Sequence, residues 1–183
     1  SATIPARNTI TVFHQGFAWV AQIGLFLTLG LLVFPTQLDD VWLEGTVLAE
    51  TAGETIGVAG NGWELRGLVR ATNGGRLELD GTFTFEDDGT FSSASGGTVV
   101  LVATLDNTGR TLALTAATGS LQVDGGTVQG GRVETTGGAS LVAQFEMILD
   151  GVTLGSDFSV PDGGLITVTN GLILDDITVT PQK

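Results

Sequence analysis

The sequence predicts an all-β domain over residues 39–183 preceded by one N-terminal apolar α-helix. Three observations carry this. From Val41 onward apolar and polar residues alternate with a period of two, the signature of strands with one buried face. Glycine is abundant, 28 residues against four prolines, and it recurs beside Asn or Asp between the alternating runs. An uncharged apolar run, residues 17–34, stands alone ahead of them.

The run FAWVAQIGLFLTLGLLVF extends into an expected helix over about 9–35. Eighteen helical residues span ~27 Å, close to the ~30 Å hydrocarbon core of a bilayer. Pro35 stops the helix and Asp39-Asp40 follow. Residues 1–38 are thus expected to form a membrane anchor or an assembly helix. Its contact set is Phe17, Trp19, Ile23, Gly24, Phe26, Leu27, Thr28, Leu31 and Phe34. Gly24 and Thr28 lie four apart on one face, a spacing that permits close helix approach. Arg7, the one basic residue before the run, places the N-terminus on the cytoplasmic side. A signal peptide fits poorly, because FPTQLDD offers no small-residue cleavage site. A pilin-like helix in a filament core and a buried helix of a soluble fold are the other readings.

Residues 8–38 also resemble one transmembrane segment of bacterial cation:proton antiporters. His14, Gly16, Ala18 and Trp19 carry the likeness, with Ala21-Gln22-Ile23-Gly24 and the run 29–35. The resemblance covers about a sixth of the chain. It implies membrane compatibility for the segment. Transport by this chain alone is not implied, because such antiporters need many more helices and a buried acidic ion site.

In the β half, Leu77-Glu78-Leu79, Thr82-Phe83-Thr84-Phe85, Ile166-Thr167-Val168-Thr169 and Ile177-Thr178-Val179-Thr180 show the alternation most clearly. Asn61-Gly62, Asn73-Gly74, Asp124-Gly125, Asp150-Gly151, Asp162-Gly163 and Asn170-Gly171 punctuate it with tight-turn chemistry. Gly-Gly pairs introduce strands at 74–79, 96–102, 125–128, 137–142 and 163–168. Residues 145–149 are apolar but too few for a helix. Rungs of ~20–25 residues suit a β-solenoid. A β-sandwich or jelly roll stays open, since Asn-Gly and Asp-Gly favour hairpins.

Residues 104–114, 125–131, 149–154 and 168–174 resemble repeats of right-handed parallel β-helix proteins of the bacterial surface, autotransporter and haemagglutinin type. The resemblance selects the parallel β-helix. It implies a secreted or surface-displayed, adhesive scaffold and fixes no ligand or catalytic residue.

Charge and composition narrow the partners. Twenty acidic residues against seven basic give a net charge of −13. That excludes a nucleic-acid partner, whose phosphates need a basic patch. With no cysteine, disulfides and thiolate metal sites are excluded. His14, the one histidine, sits at the mouth of the apolar run as a polar interfacial residue. Asp87-Asp88 reads as a turn, and Asp175-Asp176, as strand neighbours, point to opposite faces. No catalytic residue and no cofactor are expected; the metal reading is confined to loose calcium binding by turn carboxylates. Trp63 and Trp42 are expected in the core, with sugar stacking as the alternative. The segment 125–131 is expected to be a coil corner, because it lacks the lysine and helix of a phosphate loop. The expected function is a non-enzymatic, extracellular structural or adhesive protein. It would bind membrane or its own kind through the helix, and a glycan or surface ligand through the coil. The rivals are a pilin-like filament subunit, a polysaccharide-active β-helix enzyme, an ice-binding solenoid with Thr167/Thr169 and Thr178/Thr180 outward, and a join of two unrelated pieces near Asp39.

Overall fold

A computed structural model of the chain describes residues 42–43, 45–86 and 89–181. All lie in one compact unit, Asp40–Lys183. The helix expected over 9–35 and its contact set, His14 and the Asp87-Asp88 pair fall outside the described residues. Among the described residues no helix is long and apolar enough to cross a membrane.

The described residues form a parallel β-solenoid of about six turns, without a helix. In chain order the strands are β1 (Trp42–Leu43), β2 (Thr46–Ala49), β3 (Thr55–Leu65), β4 (Leu68–Ala71), β5 (Arg76–Phe85) and β6 (Thr90–Ser93). Then come β7 (Thr98–Leu101), β8 (Thr104–Asp106), β9 (Thr111–Leu114), β10 (Leu121–Val123), β11 (Thr127–Gln129) and β12 (Arg132–Thr135). The last are β13 (Leu141–Ala143), β14 (Glu146–Leu154), β15 (Phe158–Val160), β16 (Leu165–Leu174) and β17 (Val179–Pro181).

The coil has three walls. The first stacks the start of β5 on β7, β10 and β13. The second stacks the end of β5 on β8, β11, the middle of β14 and β16. The third carries β2, β4 and β6 as one sheet, and β9, β12 and the ends of β14 and β16 as part of another.

Register keeps like above like. Leu77, Val99, Leu121 and Leu141 form one inward column. Phe83, Leu105, Val128, Leu149 and Val168 form a second, and Leu112, Val133, Leu154 and Leu174 a third. Period-two alternation sends these residues inward and their neighbours to solvent. Each fully buried Leu or Phe contributes about 2 kcal/mol by leaving water. Near the start of the coil, Trp63 stacks on Phe83 with ring centroids 4.5 Å apart. Its indole N–H donates to the carbonyl of Asp80 at 3.1 Å, so the buried ring keeps its polar partner. Trp63 is thus a core residue, as expected.

Several expectations change in detail. Among the described residues the Asn-Gly and Asp-Gly pairs make no hairpins: every ladder there is parallel. Asn61-Gly62 and Asp150-Gly151 sit where β3 and β14 slip register at a coil corner. Glycines at φ +66° and +64° bend the strand there, and the chain continues around the coil instead of reversing. Corners pack so closely that a Cβ on Gly81 (φ +82°) would run into the carbonyl of Gly60 one coil below. Residues 146–149 are the first four of β14, directly after Phe145. Segment 125–131 is a short strand, β11, between two corners. Asp175 and Asp176 are not strand neighbours; they lie in a bend after β16, Asp176 at φ +57°.

Candidate functional site

Regular coils leave smooth walls, so a site is sought where regularity fails. On the third wall Thr46 pairs with Leu68 and Leu68 with Thr90, steps of 22 residues. On the next coil Thr104 pairs with Thr127, a step of 23. The step then falls to 21, from Thr127 to Ile148. The extra residue of the 23-residue step lies between Leu121 and Thr127, six apart against five from Val99 to Thr104. The corner after β9, residues 115–120, is long because β9 ends early in its coil. There Thr115 and Thr118 tie a compact knot: the Thr115 N–H donates to Thr118 Oγ1 at 2.8 Å. The Gly119 N–H donates to the Thr115 carbonyl at 2.8 Å. Such Thr side-chain-to-backbone bonds compete with ladder formation.

The knot turns toward β6 and takes its bonds. The Ser93 N–H donates to the Thr118 carbonyl at 2.8 Å. The Ser92 and Ser93 hydroxyls donate to the carbonyls of Ala117 and Ser120 at 3.2 and 3.1 Å. Consequently β9 does not pair with β6. Among the described residues β6 pairs only with β4, and β9 only with β12.

The two edges enclose a slot of about 390 Å³, within the size range of small-ligand sites. Its floor is Phe85, Phe91 and Leu112, and its sides are Thr90 and Phe91 on β6 and Thr111 and Ala113 on β9. Phe85 and Phe91 hold their ring centroids 5.8 Å apart. Thr118 closes one end. At the other, Arg110 Nη2 pairs with Glu86 Oε1 at 2.6 Å. Both side chains keep about a third of their surface exposed, so the pair is soft and salt-sensitive.

Asn107, 4% exposed, anchors the corner beneath Arg110. Its side-chain amide donates to the carbonyls of Arg132, Arg110 and Gly130 at 3.1, 3.4 and 3.5 Å. This stitches the coil of β9 to the next one. Asp106 caps the same turn, accepting from the Thr108 N–H at 2.9 Å. Hydrogen bonds from Thr108 lower the Asp106 pKa below the ordinary carboxylate value.

The carboxylates and threonines singled out in the sequence lie elsewhere. Asp175 pairs with Arg132 Nη1 at 2.8 Å. Thr167 and Thr169 donate to Glu146 and Asp150 at 2.9 and 3.0 Å, so both hydroxyls serve carboxylates of the coil below. Among the described residues no group of His, Asp and Glu is placed to hold a metal. Sequence reading missed the slot. The signals present were the aromatic cluster Phe83, Phe85 and Phe91 and the unusually long corner at 115–120.

The chain matches no family model, and no solved structure matches it. Among curated proteins, a 43-residue stretch is 51% identical to the K(+)/H(+) antiporter NhaP2 of Shewanella sp. (strain ANA-3), covering 24% of this chain and 8% of the antiporter. The same protein of Shewanella baltica (strain OS223) is 46% identical over 43 residues, with the same coverage. The K(+)/H(+) antiporter NhaP of Alkalimonas amylolytica is 45% identical over 49 residues, 27% of this chain and 8% of the antiporter. The chain therefore spans less than a tenth of the curated relatives it matches.

Proposed function

We propose that the chain is a non-enzymatic structural and adhesive β-solenoid, secreted or displayed at the cell surface. It is attached or assembled through its apolar N-terminal segment, and it binds a ligand in the slot between β6 and β9. The observation that carries this reading is the slot itself. About six coils share one aliphatic core, and the corner 115–120 occupies the β6 edge where β9 would otherwise pair. A scaffold with a lined slot beside an opened strand edge supports the reading of a binding module. The extracellular placement rests on the likeness to surface β-helix repeats.

A cell-fractionation experiment tests it. In cells producing the full chain, external protease should cleave the β-domain, and deletion of residues 1–38 should release it in soluble, β-rich form. Protection of the domain inside intact cells would refute the placement. Release of unsaturated products from acidic polysaccharides would replace the scaffold with an enzyme.

The filament-subunit reading draws on the last coil. Inward-column residues Val168 and Leu174 are 46% and 48% exposed there, and among the described residues β16 pairs only with β14. An open strand edge with half-covered aliphatics favours stacking. Fibres in electron micrographs of the purified chain would favour this alternative.

A further inference from the structure

We infer that the slot between β6 and β9 takes an extended polypeptide segment, held mainly through its backbone. The inference deepens the proposed function and rests on the slot being the binding site. Its basis is the alternation of parallel ladders. In a parallel pair each residue turns both its N–H and its C=O to the same neighbour, and successive residues face opposite neighbours. The Thr90 N–H bonds back to Gly67 and the Ala94 N–H to Ala71. Thr90 and Ser92 therefore face β4, while Phe91 and Ser93 face the other way. Ser93 is occupied by the 115–120 knot, which leaves Phe91 facing the slot. On the far side, Arg132 bonds to the Arg110 carbonyl and Thr136 to the Leu114 carbonyl. Leu112 is thus committed to β12, and Thr111 and Ala113 face the slot.

Three residues thus turn their backbone groups into one cavity from both sides. The Phe91 carbonyl accepts a long 3.4 Å bond from Thr90 Oγ1; no ladder bond joins β6 to β9. Each backbone carries one donor and one acceptor. With no ladder bond between them, both edges keep the hydrogen-bonding face that an inserted strand would use. Three extended residues span ~10 Å, within the ~13 Å of the four-residue strands β6 and β9. The middle residue of such a segment would set its side chain on the Phe85, Phe91 and Leu112 floor, which calls for a small aliphatic. Its neighbours would point to solvent and are best polar. A sugar would meet the same donors and acceptors without their strand spacing, so the observations favour peptide.

The test uses the full chain and a capped heptapeptide, Lys-Thr-Val-Thr-Val-Thr-Lys. Its readout is amide hydrogen exchange at Phe91, Thr111 and Ala113. The peptide should slow exchange at all three by tenfold or more. A version N-methylated at alternate residues keeps the side chains but loses donors, and should bind at least tenfold more weakly. In the protein, Ala113→Pro removes a slot-facing N–H while sparing every β12 bond, as proline is tolerated on a strand edge. It should weaken the parent peptide similarly and leave the far-ultraviolet spectrum unchanged. Equal binding of parent and N-methylated peptides overturns backbone recognition, whatever the proline variant does. Protection by acidic or neutral oligosaccharides but not by the peptide overturns this inference and keeps the slot as a binding site. No protection by either at millimolar concentration sinks both.

Discussion

Replacing Leu149 by alanine tests whether the inward columns hold the coil together. Leu149 has no exposed surface. It lies directly between Val128 on the coil before and Val168 on the coil after. Truncation removes three carbons from a site walled by stacked side chains on both sides, where collapse is hindered. Comparable buried Leu→Ala changes cost about 3 kcal/mol or more, transfer and cavity together. One coil later, Val168→Ala removes two methyl groups that are half in water. At ~0.8 kcal/mol per buried carbon, halved for exposure, that costs about 0.8 kcal/mol. For a chain of this size each kcal/mol lowers Tm by roughly 3 °C. Leu149→Ala should therefore melt about 10 °C below the parent and Val168→Ala about 2–3 °C below. Thermal unfolding followed by circular dichroism, with urea midpoints as a second measure, separates the two. Equal shifts, or a larger shift for Val168→Ala, would show that stacking on both sides is not what stabilises the column.

Three further outcomes follow from particular contacts. Gly81→Ala should abolish folding or cost more than about 4 kcal/mol, since its Cβ runs into the Gly60 carbonyl. Gly62→Ala, with open space but φ +66°, should cost only about 1 kcal/mol of backbone strain; urea denaturation compares them. Asn107→Ala should cost about 1–3 kcal/mol, because the amide that serves the carbonyls of Arg110, Gly130 and Arg132 is lost. Hydrogen exchange should then rise first at the β8–β9 corner. Asp106, its pKa lowered by Thr108, stabilises the fold above its ordinary pKa of about 4, and that contribution is lost as pH falls through the lower folded value. The stability difference between parent and Asp106→Asn should shrink between pH 5 and pH 2; a constant difference would remove Asp106 as the titrating cap.

The fold was legible because period-two alternation and glycine corners act locally. Leu77-Glu78-Leu79 announces which residues turn inward whatever strand lies beside it. Pairing direction was less legible. Asn61-Gly62 and Asp150-Gly151 carry the chemistry of hairpin turns, and only the coil below decides that the bent strand proceeds forward. Trp63 was readable as core from its place in an alternating run. The slot was not readable, because it arises from a mismatch between successive coils and no single motif encodes it. Phe85, Phe91, Thr111 and Ala113 are ordinary strand residues until the register of β6 against β9 is known.

That mismatch has a countable origin. The corner after β4 is residues 72–75, closed by the Gly75 N–H on the Thr72 carbonyl. The corner after β6 is residues 94–97, closed likewise by Gly97 on Ala94. The corner after β9 is residues 115–120, two longer. The coil is no longer than the one before it, 22 residues from Val99 to Leu121 as from Leu77 to Val99. However, β9 ends one residue earlier in its coil than β6 does, and the added corner residues must fold somewhere. Here the Thr115–Thr118 bonds fold them against β6 and hold β9 away. Deleting Ala116 and Ala117 removes the knot and gives a corner of the length used after β4 and β6. We expect β9 to settle onto β6 and the slot to close. Amide exchange at Phe91, Thr111 and Ala113 should slow as new ladder bonds form, each contributing about 1 kcal/mol. The urea midpoint should rise, and any ligand of the slot should lose its site. If exchange at these three amides stays fast in a folded deletion variant, the corner is not what separates the strands, and the cause must lie in the Phe85, Phe91 and Leu112 floor.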